Sequence, residues 1–97
     1  MSEKYFGKYR GTVLNNIDPE NAGRIQAQVW DSEGNAFPAY WATPCVPINL
    51  PEETGSALPK IGASVWIEFE CGDPNYPIWS GCFYGSFGDT PPALRSV

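Results

Sequence analysis

The chain has 97 residues, of which 42% are hydrophobic and 14% aromatic. This length suits one domain, and this composition excludes a disordered chain because it supplies enough apolar surface for a packed core. Ten glycines and ten prolines predict a high density of turns and therefore an all-β protein. The net charge of -5, with only two basic residues against eight acidic ones beyond Trp30, disfavours nucleic acid and other polyanions.

The first third of the chain predicts a pair of antiparallel strands. Residues 8–15 and 24–30 each alternate between two faces, as half-buried strands do. In the second strand, Ile25 and Val29 lie on the face that we expect to point inward. Residues 16–23 contain Asp-Pro and a glycine, which are typical of a turn.

The middle of the chain predicts one more strand and a long loop. Residues 31–35 read as a solvated hairpin loop, and residues 37–43 as a short third strand broken by Pro38. Residues 44–59 contain four prolines, so they cannot lie inside a sheet and leave no room for more than a helical turn. We expect an irregular loop that wraps around the strands.

The last two strands form the clearest hairpin in the sequence. Residues 65–70 alternate, with the odd-numbered residues on the core face, and an aromatic-rich strand begins at Ile78 and runs to about residue 84. Residues 72–77 form the turn between them, and Gly72 is expected to take a positive φ. We predict a β domain at residues 8–85, preceded by a docking N-terminal arm at 1–7 and followed by a Gly- and Pro-rich C-terminal tail at 86–97.

Catalytic chemistry has little support in this sequence. The absence of histidine excludes Ser-His-Asp and Cys-His catalysis. The best remaining pair is Glu68 and Glu70, which share a strand face about 7 Å apart, within the range used by glycosidases. Such glutamates are common on exposed strand faces, so we predict no catalytic residue.

Metal and cofactor sites are also weakly supported. The segment 18–23 lacks the alternating ligands of a calcium loop, and no glycine-rich phosphate loop is present. The three cysteines, Cys45, Cys71 and Cys82, are an odd number without Cys-x-x-Cys spacing, and their apolar neighbours favour packed, reduced thiols. We predict no bound metal and no cofactor.

Aromatic residues exceed what a barrel of this size encloses, so some must be exposed or covered by another chain. They would serve either as anchors of a protein interface or as a stacking platform for bases or sugars. The lack of a basic groove favours the interface, because stacking alone does not offset phosphate repulsion. The candidate interface residues are Tyr5, Phe6, Tyr40, Trp41, Trp66, Trp79 and Phe87.

Four segments, taken in order, carry a family resemblance. They are 11–13 (GTV), 18–29 (DPENAGRIQAQV), 41–44 (WATP) and the hairpin at 58–84. This ordered set resembles the small β-barrel of phage baseplate assembly protein V, which also opens the central spike proteins of contractile-tailed phages and the valine-glycine repeat spike proteins of type VI secretion.

The resemblance implies a five-stranded Greek-key barrel of the oligosaccharide/oligonucleotide-binding (OB) type, with a long Pro-rich loop between strands 3 and 4. It implies a structural joint between a baseplate hub protein and a spike or needle protein, most simply as a homotrimer. The alternatives are a free-standing OB module that binds carbohydrate or single-stranded nucleic acid through Trp66, Trp41 or Trp79, and an enzyme.

No N-terminal apolar run or membrane-spanning stretch is present in the sequence. We therefore expect no signal peptide and no membrane insertion by this domain. We also expect a cytoplasmic location during assembly, followed by incorporation into a virion tail baseplate or an injection particle.

Overall fold

The computed structural model describes residues 4–47, 58–85 and 90–94, and in these residues it shows five strands and two short 3-10 turns. The strands are β1 (Tyr9–Asn15), β2 (Ile25–Trp30), β3 (Ala36–Pro44), β4 (Ser64–Phe69) and β5 (Pro77–Cys82), and the 3-10 turns are Glu70–Gly72 and Pro92–Leu94. The strands close into a barrel in the order β1-β2-β3-β5-β4, with β3 and β5 parallel and the other neighbours antiparallel. The predicted all-β, five-stranded Greek-key barrel of the OB type is confirmed.

The core lies inside the barrel and is formed by alternate residues of its strands. The buried hydrophobic residues among those described are Val13, Ile25, Ala27, Val29, Ala39, Ala42, Val65, Ile67, Phe69 and Trp79. The inward faces predicted for strands 2 and 4 are therefore confirmed, because β2 and β4 each bury every second residue.

Gly11 is where β1 comes closest to the barrel interior. A Cβ added at this position would lie 2.9 Å from Ile67 Cγ1 and 3.3 Å from the carbonyl oxygen of Gln28. Gly11 pairs with Val29 on one side and Val65 on the other. The absent side chain lets three strands approach closely at this point.

Strand β3 differs from its prediction, because Pro38 does not break it. β3 runs through Pro38, which lies opposite Gln28 of β2, whereas in the described residues β3 pairs with β5 only at Thr43 and Pro44. The first half of β3 is therefore a sheet edge, where proline is tolerated because its missing N–H faces away from the neighbouring strand.

The β4–β5 hairpin begins as predicted, but it turns earlier. β4 ends at Phe69, and Glu70 starts a 3-10 turn in which Cys71 and Gly72 take φ values of 53° and 75°. The assignment of Glu70 to the strand was therefore wrong, and the positive φ of Gly72 is confirmed.

The prediction of packed thiols was wrong, since all three cysteines are free and exposed. Cys71 lies in the left-handed part of the turn, and Cys82 ends β5. Of the predicted Pro-rich loop at 44–59, residues 48–57 lie outside the described residues. At the end of this loop, the carbonyl oxygen of Pro59 accepts a hydrogen bond from Asn16 Nδ2 at 3.0 Å.

Candidate interaction surfaces

A row of aromatic and cationic side chains crosses the outer face of the barrel. Arg10 pairs with Trp30 of β2 on one side and with Trp66 of β4 on the other. The Trp66 and Phe83 rings lie 4.5 Å apart between centroids, and Arg10 Cζ lies 5.5 Å from the first ring and 4.9 Å from the second. We call Trp30, Arg10, Trp66 and Phe83 the arginine stripe. Its guanidinium is held in place by two cation–π contacts.

A polar cluster borders the arginine stripe. Lys8 Nζ donates to Glu68 Oε1 at 3.0 Å and to Ser80 Oγ at 3.3 Å. The hydrogen bond from Lys8, followed by that from Ser80, lowers the pKa of Glu68. Glu68 is therefore a poor proton donor, and its supposed partner Glu70 has left the strand. The geometry does not pair these two carboxylates as an acid and a base across a cleft.

The residues before β1 cover one end of the core. The centroid of the Tyr5 ring lies 5.2–6.0 Å from those of Tyr9, Phe37 and Phe69. The backbone N–H of Tyr5 donates a hydrogen bond to the carbonyl oxygen of Gly72 at 2.8 Å. The neighbouring Phe6 is 69% exposed. Tyr5 is therefore mainly a packing residue, and Phe6 offers the more accessible ring.

A second surface lies at the end of the barrel where β3 meets β5. Opposite Gln26, β3 carries two residues, Tyr40 and Trp41, so this is a β-bulge in which Trp41 takes a φ of 57°. Tyr40 is 62% exposed, and Tyr76 of the β4–β5 turn is 61% exposed. Both line a groove of about 580 Å³ that also includes Trp41. We call it the tyrosine groove.

One wall of the tyrosine groove is fixed by the turn before β2. Asp18 accepts hydrogen bonds from the backbone N–H groups of Glu20, Ala22 and Arg24, and from the Arg24 guanidinium at 2.8 and 3.0 Å. Arg24 also pairs with Glu20 at 2.6 Å, and its Cζ lies 5.4 Å from the Trp41 ring. The Arg24 guanidinium, helped by the backbone donors, holds the pKa of Asp18 far below its usual range.

We expect this turn to make the fold sensitive to acid. Folding lowers the pKa of Asp18, so the ionised carboxylate stabilises the fold. This stabilisation is fully present above the unfolded pKa of about 3.9, and it is lost as the pH falls through the pKa of the folded state. Asp18→Asn should therefore lower the melting temperature at neutral pH. The difference in melting temperature between this variant and the wild type should become smaller as the pH falls below about 4. Thermal melts across this range measure both effects.

Glu33→Gln serves as the control for the acid prediction, because it removes an exposed carboxylate from another loop. It should leave the melting curves close to those of the wild type. An Asp18→Asn protein that melts with the wild type at neutral pH would contradict a stabilising role for the Asp18 turn.

Two of the predicted interface residues need separate comment. Trp79 was wrongly placed on the surface, because it is only 5% exposed and its Nε1–H donates to the carbonyl oxygen of Gly23 at 2.9 Å. An inward position on β5 buries this ring. Phe87 lies outside the described residues.

The structure also adds residues that the sequence interpretation did not select. Arg10, Trp30 and Phe83 join Trp66 in the arginine stripe, and Tyr76 joins Tyr40 and Trp41 in the tyrosine groove. Part of this signal was present in the predicted alternation of residues 8–15, although that pattern did not show which face of the strand points outward. The cross-strand register that puts Arg10 beside two tryptophans requires the fold.

The strand order and the closed barrel define an OB-type domain with exposed aromatic surfaces. Residues 9–84 match the family of the type VI secretion system/phage-baseplate injector OB domain, and the chain belongs to this family. No curated protein matches the chain.

Family membership gives the coarse role, which is that of a structural domain of a baseplate or injection apparatus. Among the described residues, no helix is long and apolar enough to cross a membrane. In the same part of the chain, no group of three or more His, Cys, Asp or Glu side chains is placed to hold a metal ion.

Proposed function

We propose that this chain is a non-catalytic assembly module of a contractile injection apparatus, where it joins the baseplate hub protein to the spike or needle protein. It would act as a homotrimer, be made in the cytoplasm, and become part of a phage tail baseplate or a related injection particle. The proposal extends the structural role of the family to named partners.

The observation that carries the proposal is the fixed position of Arg10. In the described residues Arg10 has no carboxylate partner, yet its guanidinium is held against Trp66 and Phe83. Arginine and tryptophan are enriched at the energetic centres of interfaces, and a side chain that is already ordered loses less entropy on binding. The arginine stripe is therefore suited to receive a carboxylate or a backbone carbonyl from a partner.

The surroundings of the arginine stripe also suit an interface. The Lys8–Glu68 pair at its border is partly exposed, with 53% and 38% of the two side chains accessible. A polar, hydrated rim around an aromatic centre is the usual anatomy of a protein interface. In this position Glu68 would contribute to the choice of binding partner. The glycosidase hypothesis would instead require it to transfer a proton.

Reversing the charge of Arg10 should disrupt assembly without unfolding the barrel. Arg10→Glu is expected to weaken self-association or hub binding by about 2 kcal/mol or more, roughly a 30-fold loss of affinity, as for a central interface arginine. The affinity of Arg10→Lys should lie between those of the wild type and Arg10→Glu, because lysine keeps the positive charge but cannot stack as a planar guanidinium does. Light scattering of the purified chain, with and without the hub protein, measures both.

Lys4→Glu is the matched control, since it exchanges a cation for a carboxylate at an exposed residue that does not belong to the arginine stripe. It should assemble as the wild type does. A chain that stays monomeric and binds no hub or spike protein would refute the proposed function. Equal losses of affinity in Arg10→Glu and Lys4→Glu would refute the role of the arginine stripe.

A further inference from the structure

The tyrosine groove lies where the end of β3 meets the start of β5. It is bounded by β3, by the turn between β1 and β2, and by the turn between β4 and β5. The volume of about 580 Å³ falls within the roughly 300–1,000 Å³ typical of small-molecule sites.

The walls of the groove are already ordered. Asp18 and Arg24 fix the first turn, and the indole N–H of Trp79 ties that turn to the core through Gly23. In the second turn, the Asp73 carboxylate accepts the backbone N–H of Asn75 at 3.0 Å. A ligand would therefore meet a preformed surface and would not have to order these loops.

Aromatic faces and hydrogen-bonding groups line the same groove. Tyr40 and Tyr76 expose most of their rings, and in the described part of the chain the side chains of Glu70 and Asn75 have no hydrogen-bond partner. Flat aromatic faces with a polar tip suit the apolar face of a sugar ring. Free carboxylate and amide groups suit its hydroxyls, which both donate and accept hydrogen bonds.

The charges of the groove restrict the class of ligand. Arg24 is its cation among the described residues, and this guanidinium is already paired with Asp18 and Glu20. Glu70 adds a further carboxylate. A phosphate backbone or an anionic sugar would meet a negative surface, whereas a neutral sugar can donate its hydroxyl groups to it.

We propose that the tyrosine groove binds a neutral oligosaccharide, with sugar rings against Tyr40 and Tyr76 and sugar hydroxyls on Glu70 and Asn75. The site is separate from the arginine stripe, and this binding activity goes beyond the assembly role. A chain that assembles but binds no sugar would overturn this inference alone. A chain that binds sugar but does not assemble would overturn the proposed function alone.

The test uses the full 97-residue chain and five defined probes. Three are neutral hexasaccharides, made of N-acetylglucosamine, of cellulose and of starch. The others are an oligothymidylate and an oligolysine peptide. Calorimetry gives the affinities, and chemical-shift changes in amide NMR spectra locate the binding. We expect at least one neutral hexasaccharide to bind saturably, with shifts concentrated around Arg24 and Tyr76.

Variants separate the groove from the rest of the surface. Tyr76→Ala and Tyr40→Ala should each weaken sugar binding about fivefold or more, the scale of one lost aromatic stacking contact, whereas Tyr76→Phe should keep most of it. Tyr84→Ala removes an exposed tyrosine ring that belongs to neither surface, and it should leave sugar binding unchanged. Near-ultraviolet circular dichroism checks that each variant remains folded.

The inference is overturned if no neutral hexasaccharide binds or if only the oligothymidylate or the oligolysine binds. It is also overturned if sugar binding survives both tyrosine substitutions. The oligolysine result would instead indicate that the groove receives a basic segment of a protein.

Discussion

Replacing Ile67 by alanine is expected to destabilise the barrel more than any other change considered. Ile67 is fully buried in the hydrophobic core of the barrel. Its side chain fills the space beside Gly11 that a Cβ at that position would need. Removing a buried isoleucine side chain costs about 2–5 kcal/mol, because apolar contacts are lost and a cavity remains. In a domain of this size, each kcal/mol lowers the melting temperature by roughly 4–8 °C.

Ile61→Ala provides a matched control for this change, because the same side chain is truncated where it is 63% exposed. Its effect should stay within about 0.5 kcal/mol. Urea unfolding of both variants gives the two free energies. Similar losses in the two proteins would contradict the assignment of Ile67 to the centre of the core.

Gly72→Val should also destabilise the fold, for two separable reasons. The φ of 75° at Gly72 disfavours any side chain, and β-branched residues most of all, at a cost of about 1–3 kcal/mol. In addition, a Cβ at this position would lie 2.9 Å from ring atoms of Phe6. The Phe6 ring must therefore shift. Thermal melts should show a clear loss relative to the wild type.

Gly34→Val separates these two causes. Gly34 has a φ of 84°, but a Cβ there would meet nothing within 4 Å, so only the backbone strain is tested. Gly72→Val should lower the melting temperature more than Gly34→Val does. Adding Phe6→Ala to Gly72→Val removes the clash and should therefore bring its melting temperature up to that of Gly34→Val. If Gly72→Val melts like the wild type but fails to assemble, this turn is a contact surface and not a structural element.

Much of the fold could be predicted from the sequence because the strands alternate cleanly. β2 and β4 have period-two patterns, and glycine or proline marks the turns beside them. Pro38 was misread because a proline breaks a central strand but is accepted at an edge, and edge position depends on the barrel closure. Glu70 was misread because alternation alone does not show where a strand gives way to a turn.

The interaction surfaces were harder to predict, since they depend on register. An excess of aromatic residues is visible in the composition. The alternation of residues 65–70 already put Trp66 on the face opposite the core, whereas only the fold shows that Trp79 points inward. Arg10 is separated from Trp66 by 56 positions in the chain. Their contact follows from the β1–β4 pairing, which no local pattern reveals.

The proline in β3 has a further consequence for the open edge of this strand. An open strand edge is a template on which further strands can add, and uncontrolled addition leads to aggregates. Along its first half, β3 has such an edge in the described structure, and Pro38 removes one of the donors that an incoming strand would need. Pro38 thus helps to protect this edge against the addition of another strand.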